Sequence, residues 1–367
     1  MKNKSAEKYD LSVILPTFNE KENIILILDK IRKVLKNESY QIIVVDDNSP
    51  DGTWEIAQHY SKKLSNIQVI RRLNMKGLSS AILEGFGSSN SKWMVVMDAD
   101  LQHDEKILVE FIKAFEEGYE IVLGSRKTAG GGIGEWNALR RVISWVATKM
   151  ALLIIKNNVS DPMSGFFGIR KEIFENSIDK INPRGFKLLL ELLAHNPDSK
   201  VHEIGFTFNK RLHGKSKLNT NVIIDYMEAL YDLSFGKYLP LRFLKYSIIG
   251  LTGLLLYQLF IWIGLNLLEI SKYYSIALGI EAAILSNYFL NNFWTFRDYR
   301  HKSIYIITGL FSYHLISLAG VVINYSSTVI LINQFKINIY TASIIGAVLS
   351  TLWNYRMNFQ ITWKKEI

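Results

Sequence analysis

The sequence predicts an α/β domain with a mainly parallel sheet, followed by an all-α domain of four transmembrane helices. Three observations support this prediction. Short apolar strands alternate with helices up to about residue 235. Apolar spans of a length that crosses a bilayer, about 20 residues, begin after Leu241. Carboxylates directly follow two of the strands, at the edge where open parallel sheets bind ligands.

The uneven distribution of apolar residues divides the 367 residues into two domains, for which we expect the bounds 1–235 and 241–367. The absence of cysteine excludes disulfides, thiolate nucleophiles and Cys-based zinc sites. The first apolar run, Leu11–Leu15, is too short for a signal-peptide core, so we expect a cytoplasmic first domain. A net charge of +9 suits phosphates or anionic lipid. Nucleic acid is not expected as a partner, because no nucleic-acid-binding motif is recognisable.

The predicted strands and helices of the first domain alternate along the chain. The strand Leu11–Leu15 leads into a helix, for which Asn19 and Glu22 form a capping-box pattern. The elements predicted next are a strand at Gln41–Val45, a helix at Thr53–Lys63, a strand at Ile67–Arg71, a helix at Leu78–Gly87 and a strand at Trp93–Met97. This alternation is typical of a doubly wound, mainly parallel sheet.

The strand Trp93–Met97 runs directly into Asp98 and Asp100. Because a strand points residues i and i+2 to the same side, both carboxylates can face one crevice, with Gln102 adding a neutral oxygen. Oxygen ligands of this kind suit Mg²⁺ or Mn²⁺. An isolated Asp-x-Asp is also typical of a turn or a helix start. Asp47 ends the strand beside the first one, so we expect its carboxylate at the same crevice.

Two amphipathic helices are predicted at the end of the first domain. Residues 137–156 place Arg140, Arg141 and two lysines among apolar side chains. This pattern is typical of a helix lying in a membrane interface, and equally of a core helix with a solvated basic edge. The second helix, at residues 219–238, has an acidic polar face, so attraction to anionic lipid cannot hold it at a membrane.

Four apolar spans follow, at about residues 246–268, 273–296, 303–332 and 337–359. Basic residues precede the first span, separate the second from the third and follow the fourth: Lys237, Arg242, Lys245, Arg297, Arg300, Lys302, Lys364 and Lys365. The opposite loops carry only Lys272 and Lys336. The positive-inside rule therefore predicts a multi-pass protein of the cell membrane, with both termini and the first domain in the cytoplasm.

The membrane domain also repeats its own sequence. Asn287-Tyr288, Asn291 and Thr295-Phe296 recur in register as Asn354-Tyr355, Asn358 and Thr362-Trp363. The recurrence predicts two hairpins with the same orientation, a parallel repeat. Glu281 lies within the second span, where a carboxyl is either a functional site or a fixed point of helix packing.

As a set, the motifs of this chain resemble those of the dolichol-phosphate mannose synthases, inverting family 2 glycosyltransferases with a GT-A fold. They are Pro16-Thr-Phe-Asn-Glu20, Val44-Val-Asp-Asp47, Asp98-Ala-Asp-Leu-Gln-His103, Gly124-Ser-Arg126, Asp161-Pro-Met-Ser-Gly-Phe166 and Arg211-Leu-His-Gly-Lys-Ser-Lys217. The resemblance covers nearly the whole chain, because the four apolar spans are similar to the GtrA-type membrane domain of some prokaryotic members. The family usually has proline after the histidine, where this chain has Asp104.

The resemblance implies binding residues for donor, acceptor and metal. The donor nucleotide-sugar would be bound by Pro16, Phe18, Glu20, Val45, Asp47, Asp98, Ala99, Asp100, Gln102, Arg126, Arg211 and Lys217. The acceptor phosphate would be bound by Arg126, Lys217 and Arg140, for which the adjacent Arg141 is the alternative. Asp100 and Gln102 would ligate Mg²⁺ or Mn²⁺ on the diphosphate, and Asp98, Asp100 and Arg126 would be the catalytic residues.

The implied reaction is inverting transfer of mannose from GDP-mannose to dolichyl (polyprenyl) phosphate at the cytoplasmic membrane face. A phosphate acceptor is mostly dianionic at neutral pH, so no general base is needed and we expect His103→Ala to keep a substantial part of the activity. Two alternatives stay open: transfer from a UDP-sugar such as UDP-glucose to the same lipid, and non-enzymatic binding or flipping of a lipid-linked sugar. The expected partners are the donor, the lipid and the bilayer, with no obligatory protein partner.

Overall fold

A computed structural model of the protein describes residues 8–132, 138–181, 188–209 and 220–364, with the backbone alone for 138–140 and 220–223. The chain divides into two compact units, Met1–Ser234 and Phe235–Ile367. We call them the sheet unit and the helical unit.

The elements of the sheet unit alternate as the sequence predicts. Its strands are β1 (Tyr9–Thr17), β2 (Tyr40–Asp46), β3 (Ile67–Arg71), β4 (Ser91–Val96), β5 (Ile121–Ser125), β6 (Phe167–Arg170) and β7 (Val201–Gly205). Its helices are α1 (Ile24–Val34), α2 (Thr53–Ser61), α3 (Leu78–Gly87), α4 (Leu108–Glu116), α5 (Ala138–Leu152), α6 (Lys171–Ser177) and α7 (Leu188–His195), with α8 (Thr220–Phe235) at the boundary of the units.

The strands form one sheet in the order β3-β2-β1-β4-β6-β5-β7. β6 is antiparallel to both of its neighbours and every other pairing is parallel, which confirms the predicted mainly parallel sheet. Val13 and Leu15 of β1 pack into one apolar cluster and Ile14 packs into the cluster on the opposite face. Both faces are therefore covered. The strand order reverses between β1 and β4, and the carboxyl ends of these strands are the expected ligand site.

The predicted start of α1 is wrong. Asn19 has a left-handed backbone (φ 60°) and the helix begins only at Ile24. The backbone N–H groups of residues 19–21 donate instead to side chains that follow β2, which are Ser49, Thr53 and Asp51. Residues bonded in this way cannot form the first turn of a helix, so β1 continues to Thr17 and Phe18-Asn-Glu20 is a loop fixed against the next β-α connection.

The two helices expected at 137–156 and 219–238 are shorter than predicted. α5 ends at Leu152, and Asn157 beyond it donates its side-chain amide to the carbonyl groups of Asn196, Pro197 and Ser199. These bonds hold the chain in a course that a helix cannot follow. α8 ends at Phe235, five residues before Pro240, which cannot continue a helix.

The helical unit contains α9 (Leu241–Asn266), α10 (Lys272–Leu290), α11 (Tyr305–Asn333) and α12 (Ile339–Met357). α9 starts earlier than predicted, directly after Pro240, which suits the start of a helix because it has no N–H to leave unpaired. α10 and α12 each continue into a π-helical segment, Asn291–Thr295 and Asn358–Thr362. Among the described residues, α9 and α11 are the two helices whose length and hydropathy suit a membrane span.

The hairpins α9-α10 and α11-α12 repeat each other at a spacing of 67 residues, and they exchange equivalent hydrogen bonds. The Asn358 side-chain amide donates to Tyr246 Oη (3.1 Å), and that of its counterpart Asn291 faces Tyr313 Oη, the counterpart of Tyr246, at 3.5 Å. The contacts of one hairpin with the other therefore have an approximate two-fold symmetry, as a parallel repeat requires.

Aromatic rings follow the same symmetry. Phe296 and its counterpart Trp363 stack on each other with ring centroids 4.2 Å apart. Trp363 also stacks on Tyr288, and Phe296 stacks in the same way on Tyr355, the counterpart of Tyr288. The residues that recur in the sequence are thus the residues that join the two hairpins.

Close helix contacts predict which glycines resist substitution. A Cβ on Gly279 would lie 2.8 Å from the carbonyl oxygen of Tyr257, and a Cβ on its counterpart Gly346 would lie 2.8 Å from that of Asn324. Gly250 of α9 has open space at that position. We expect Gly279→Ala and Gly346→Ala each to destabilise the unit by about 1–3 kcal/mol, measured by thermal unfolding in detergent. Gly250→Ala is the control, and an equal loss there would refute this packing.

Candidate active site

A cleft of about 520 Å³ lies at the carboxyl ends of β1, β2 and β4. Its lining residues are Pro16, Thr17, Phe18, Glu20, Asp47, Lys76, Gly77, Leu78, Ala81, Asp98, Ala99 and Asp100. Predicted donor-binding residues from three separate motifs therefore meet in one cleft. The wall formed by residues 76–81, at the start of α3, carries no motif that the sequence analysis recognised.

The two adjacent carboxylates that follow β2 have different surroundings. Asp46 is fully buried and accepts hydrogen bonds from Thr17 Oγ1 (2.8 Å), Ser49 N (2.7 Å) and Ser49 Oγ (2.7 Å). It fixes the loops that follow β1 and β2. Asp47, by contrast, lines the cleft. Of the pair, Asp47 is therefore the residue placed to contact a ligand.

Asp47 is held by a buried arginine that sequence reasoning missed. Arg72 is 4% exposed, and its Nη1 lies 2.7 Å from Asp47 Oδ1. Asp47 Oδ2 accepts the Gly77 N–H at 2.7 Å, and Arg72 Nη2 donates to Ser80 Oγ at 2.7 Å. Each Asp47 oxygen keeps a further lone pair that can accept a ligand hydroxyl. The side chain of an arginine at a strand end is usually solvated, so the sequence gives no sign that Arg72 is buried against Asp47.

Asp98 and Asp100 reach the cleft through a turn, which corrects the expectation that strand alternation aligns them. β4 ends at Val96, and Leu101 has a left-handed backbone (φ 63°). This conformation turns the chain so that Gln102 N donates to Asp100 Oδ1 at 3.1 Å. The carboxylates are therefore positioned by a strained turn, a conformation that clusters at functional sites.

The side-chain oxygen atoms of this turn could hold a divalent cation only together with oxygen atoms of a bound phosphate ligand. Within the described part of the chain, no group of three or more His, Asp or Glu side chains could hold a metal by itself. Mg²⁺ is commonly held by one or two carboxylates plus phosphate oxygens, which matches Asp100 and a diphosphate. The Gln102 side-chain amide donates to the carbonyl of Asn209 at 3.0 Å, which leaves its oxygen to serve as a ligand.

His103 is built into the turn and the core. Its Nδ1 accepts the backbone N–H of Asp98 at 3.1 Å, and its ring stacks on Phe166 with centroids 4.9 Å apart. Burial lowers the pKa of His103 to about 4, so the ring is neutral at pH 7 and carries its proton on Nε2. Removal of the His103 side chain would leave a cavity and release the Asp98 N–H, so we expect His103→Ala to be less stable than the wild type.

Arg126 is held in place by the carboxylate of Asp161, whose backbone is held in turn by Glu203. Asp161, which is fully buried, accepts Arg126 Nε at 2.7 Å and Nη2 at 2.9 Å. Burial alone would raise the pKa of Asp161, but the hydrogen bonds and charge of Arg126 outweigh it and lower that pKa. Glu203 of β7 in turn accepts the Asp161 N–H at 3.2 Å and both the N–H and the hydroxyl of Ser160 at 2.8 and 3.0 Å.

Several predicted site residues do not line the cleft. The Val45 side chain is fully buried in an apolar cluster of the core, so its predicted contact with the donor would have to come from the main chain. Gln102 and Arg126 are also absent from the lining, although each follows a strand end on the same edge of the sheet. The Arg140 side chain, Arg211 and Lys217 lie outside the described residues.

Comparison with known proteins covers both units. Residues 12–178 match the family described as Glycosyl transferase family 2, and residues 245–363 match the GtrA/DPMS transmembrane domain. The chain is 40% identical over 355 residues to the dolichol-phosphate mannosyltransferase of Pyrococcus furiosus, covering 96% of this chain and 99% of that protein. It is 38% identical over 239 residues to the Saccharomyces cerevisiae protein of the same name, covering 62% of this chain and 88% of that one.

Solved structures resemble the sheet unit more distantly. Glucosyl-3-phosphoglycerate synthase from Mycobacterium tuberculosis, in complex with Mn²⁺, UDP and phosphoglyceric acid, matches with a TM-score of 0.48 and 18% identity. The match covers 61% of this chain and 78% of that chain. A likeness of this degree carries no conclusion about ligands.

The buried Arg72 predicts a difference between two neighbouring arginines. Arg72→Lys keeps the charge but cannot bond Asp47 and Ser80 in the geometry of the guanidinium, so we expect the affinity for GDP or UDP to fall by about tenfold. Arg71 is exposed, stacks over Trp54 and donates to Asn48, so Arg71→Lys should leave the affinity unchanged. Calorimetric titration, with thermal unfolding as a check on folding, would measure both. Equal affinities in the two variants would contradict the role of Arg72.

The bonds of Glu203 predict a loss of activity from a residue that does not line the cleft. In Glu203→Gln one acceptor oxygen becomes a donor that opposes a backbone N–H, which should displace Asp161 and Arg126. We expect kcat/KM to fall by about tenfold, as judged by initial-rate kinetics. Glu120→Gln is the matched control, because Glu120 accepts the Lys200 N–H at the opposite end of β5 and β7. An equal fall of kcat/KM in both variants would show that the substitutions only destabilise the fold.

Proposed function

The chain belongs to the dolichol-phosphate mannosyltransferase family, and from this premise we propose that it transfers mannose from GDP-mannose to a polyprenyl phosphate with inversion at the sugar. The observation that carries the proposal is the 40% identity over 96% of the chain to a relative of that name. The cleft adds chemical support, since its carboxylates lie where open α/β sheets bind nucleotides. The product would be dolichyl phosphate mannose.

The reaction needs no general base. An oxygen of the acceptor phosphate attacks the anomeric carbon, the bond from that carbon to the diphosphate breaks, and GDP leaves with the bonding electrons. The acceptor is mostly dianionic at neutral pH, because its second pKa is about 6. No proton therefore has to be removed. The neutral, buried ring of His103 is consistent with this, since its Nδ1 is already used by the backbone of Asp98.

The residues of the cleft would bind and orient the donor. Asp47, held by Arg72, would accept hydroxyl groups of the ribose. Asp100 and Gln102, with Asp98 beside them, would hold Mg²⁺ or Mn²⁺ on the diphosphate, and this ion supplies positive charge against the leaving group. Arg126, fixed by Asp161, would bind phosphate oxygens through its planar fork. Arg140, Arg211 and Lys217 would add further positive charge.

A lipid acceptor implies that the protein lies at a membrane. We propose a multi-pass protein whose catalytic domain ends near residue 235 and lies in the cytoplasm. Three features support this topology. α9 and α11 suit membrane spans. α5 exposes Val142, Trp145 and Val146, as expected of a helix at a membrane interface. Basic residues are concentrated at the loops that share a side with both termini.

The donor and the metal can be tested in one assay. Purified full-length protein would receive polyprenyl phosphate, Mg²⁺ or Mn²⁺, and either GDP-mannose or UDP-glucose. We expect transfer from GDP-mannose and its abolition by excess EDTA. Transfer from UDP-glucose at an equal rate would refute the donor assignment, and full activity in EDTA would exclude the metal. Absence of transfer from either donor would leave lipid-linked sugar binding or flipping as the better interpretation.

A pair of acidic variants tests the proposed metal ligand. Asp100→Asn should lower kcat by about a hundredfold or more, because charge on the leaving diphosphate would lose its compensation. Asp104→Asn is the control, since Asp104 accepts the Lys106 N–H at a helix start and does not line the cleft. Similar activities for the two variants would refute the role of Asp100.

A further inference from the structure

The repeat in the helical unit allows each residue to be compared with its counterpart 67 positions away. Several positions that pack the hairpins together keep their residue type, as Tyr246 and Tyr313 do. Two basic residues of α9 do not. The counterpart of Lys245 is Ser312, and the counterpart of Arg242 is Gly309. The architecture of the hairpin therefore does not require a cation at either position.

In the α11-α12 hairpin, the serine completes a chain of buried hydrogen bonds. Ser312 Oγ lies 3.0 Å from Thr362 Oγ1, and Thr362 Oγ1 donates to Asn358 Oδ1 at 2.8 Å. Asn358 in turn donates to Tyr246 in the other hairpin. The polar atoms of this chain are thus paired with one another.

In the α9-α10 hairpin, the same chain is open. Asn291 and Thr295, the counterparts of Asn358 and Thr362, are 1% and 4% exposed. Asn291 Oδ1 and Thr295 Oγ1 have no hydrogen-bond partner among the described residues. Lys245 occupies the place of the serine, is only 7% exposed, and its ammonium lies 5.5 Å from the centre of the Trp294 ring. A buried polar atom without a partner is unfavourable, so the hydrogen bonds of Asn291 and Thr295 do not explain why this hairpin has a lysine where the other has a serine.

Arg242 lies three residues before Lys245, on the same face of α9. Its guanidinium carbon is 5.3 Å from the ring centre of Tyr299 and 5.2 Å from that of Phe359, and its Nη2 is 3.6 Å from Asp298 Oδ2. The counterpart glycine could not carry such a side chain, because a Cβ there would lie 2.1 Å from a ring nitrogen of His301. The asymmetry thus places two cations at the start of one hairpin, in partly desolvated surroundings.

We propose that Arg242 and Lys245 form a binding site for the phosphate monoester of a polyprenyl phosphate. This proposal rests on the proposed function and extends it, because it gives the helical unit its own site for the acceptor. Arg242 and Lys245 carry two positive charges against the one negative charge of Asp298, so the group attracts a phosphate, and the planar arginine can offer that phosphate two parallel hydrogen bonds. The exposed apolar side chains along α9, among them Leu251 and Leu255, would contact the isoprenoid chain.

The repeat supplies the variant that tests the proposal. Lys245→Ser installs the residue that the other hairpin uses, and it restores the serine to the open chain of Asn291 and Thr295. We expect the melting temperature of the full-length protein in detergent to stay the same or rise. We expect the affinity for dolichyl phosphate, measured with the protein in lipid nanodiscs, to fall by about tenfold or more. An unchanged affinity would overturn the proposal.

Ser312→Ala is the matched control. It breaks the closed chain of the other hairpin without touching a cation, so it should lower the melting temperature and leave the affinity for dolichyl phosphate unchanged. If Lys245→Ser instead lowered the melting temperature and Ser312→Ala lowered the lipid affinity equally, Lys245 would be a packing residue and the proposal would fail.

Competing ligands separate the headgroup from other sources of phosphate. Inorganic phosphate alone should compete weakly, and dolichol without its phosphate should not compete. Phosphatidic acid, which carries a phosphate monoester on a different lipid, should compete less well than dolichyl phosphate. Equal competition by dolichol would show that the isoprenoid chain alone is recognised and would refute the site.

A short, water-soluble acceptor such as citronellyl phosphate separates this proposal from the proposed function. Because citronellyl phosphate carries the same phosphate monoester as dolichyl phosphate, Lys245→Ser should raise the KM for both acceptors and leave the affinity for GDP unchanged. A wild-type protein that used neither acceptor would refute the proposed function. A Lys245→Ser variant with an unaltered KM for dolichyl phosphate would refute the helical-unit site alone.

Discussion

Charges buried at the carboxyl edge of the sheet have to be paired, and the candidate site depends on this constraint. An unpaired ion away from water is strongly unfavourable, whereas a paired one with complete hydrogen bonds is stable and rigid. Arg72 pairs with Asp47 on one side of the site, and Arg126 pairs with Asp161 on the other. Each pair fixes a polar group that a ligand can use. The pairs therefore prepare the site before any nucleotide binds.

The helical unit meets a related constraint with fewer charges. Its hairpins join through stacked rings and through hydrogen bonds from Asn358 and Asn291 to tyrosines of the opposite hairpin. Glu281 takes part in such a contact, since its carboxylate lies 3.2 Å from His314 Nε2 on α11. The bond joins the two hairpins, and Val348 at the counterpart position of Glu281 has no polar group to repeat it. This contact agrees with the packing interpretation of Glu281.

The sequence was informative where structure is local. Continuous apolar runs predicted β1, β2 and β4, because strands covered on both faces need apolar residues at every position. It misplaced the start of α1, because residues 19–21 donate to side chains some thirty positions later. It also treated Asp98 to Asp100 as a continuing strand, although the left-handed Leu101 turns the chain there. Both errors arise from contacts or backbone angles that apolar periodicity does not encode.

The amino-acid sequence by itself determined the family resemblance, the α/β class, the apolar spans and the repeat, because each is written in motifs or periodic patterns. The sequence also selected Asp47 for the cleft, which Asp47 lines, but only the tertiary structure decided that Arg72 is its buried partner and that the Val45 side chain belongs to the core. It alone showed that Lys245 interrupts a hydrogen-bond chain that Ser312 completes. These facts depend on which groups lose water and which distant groups meet, and burial is a property of the folded chain rather than of any one segment.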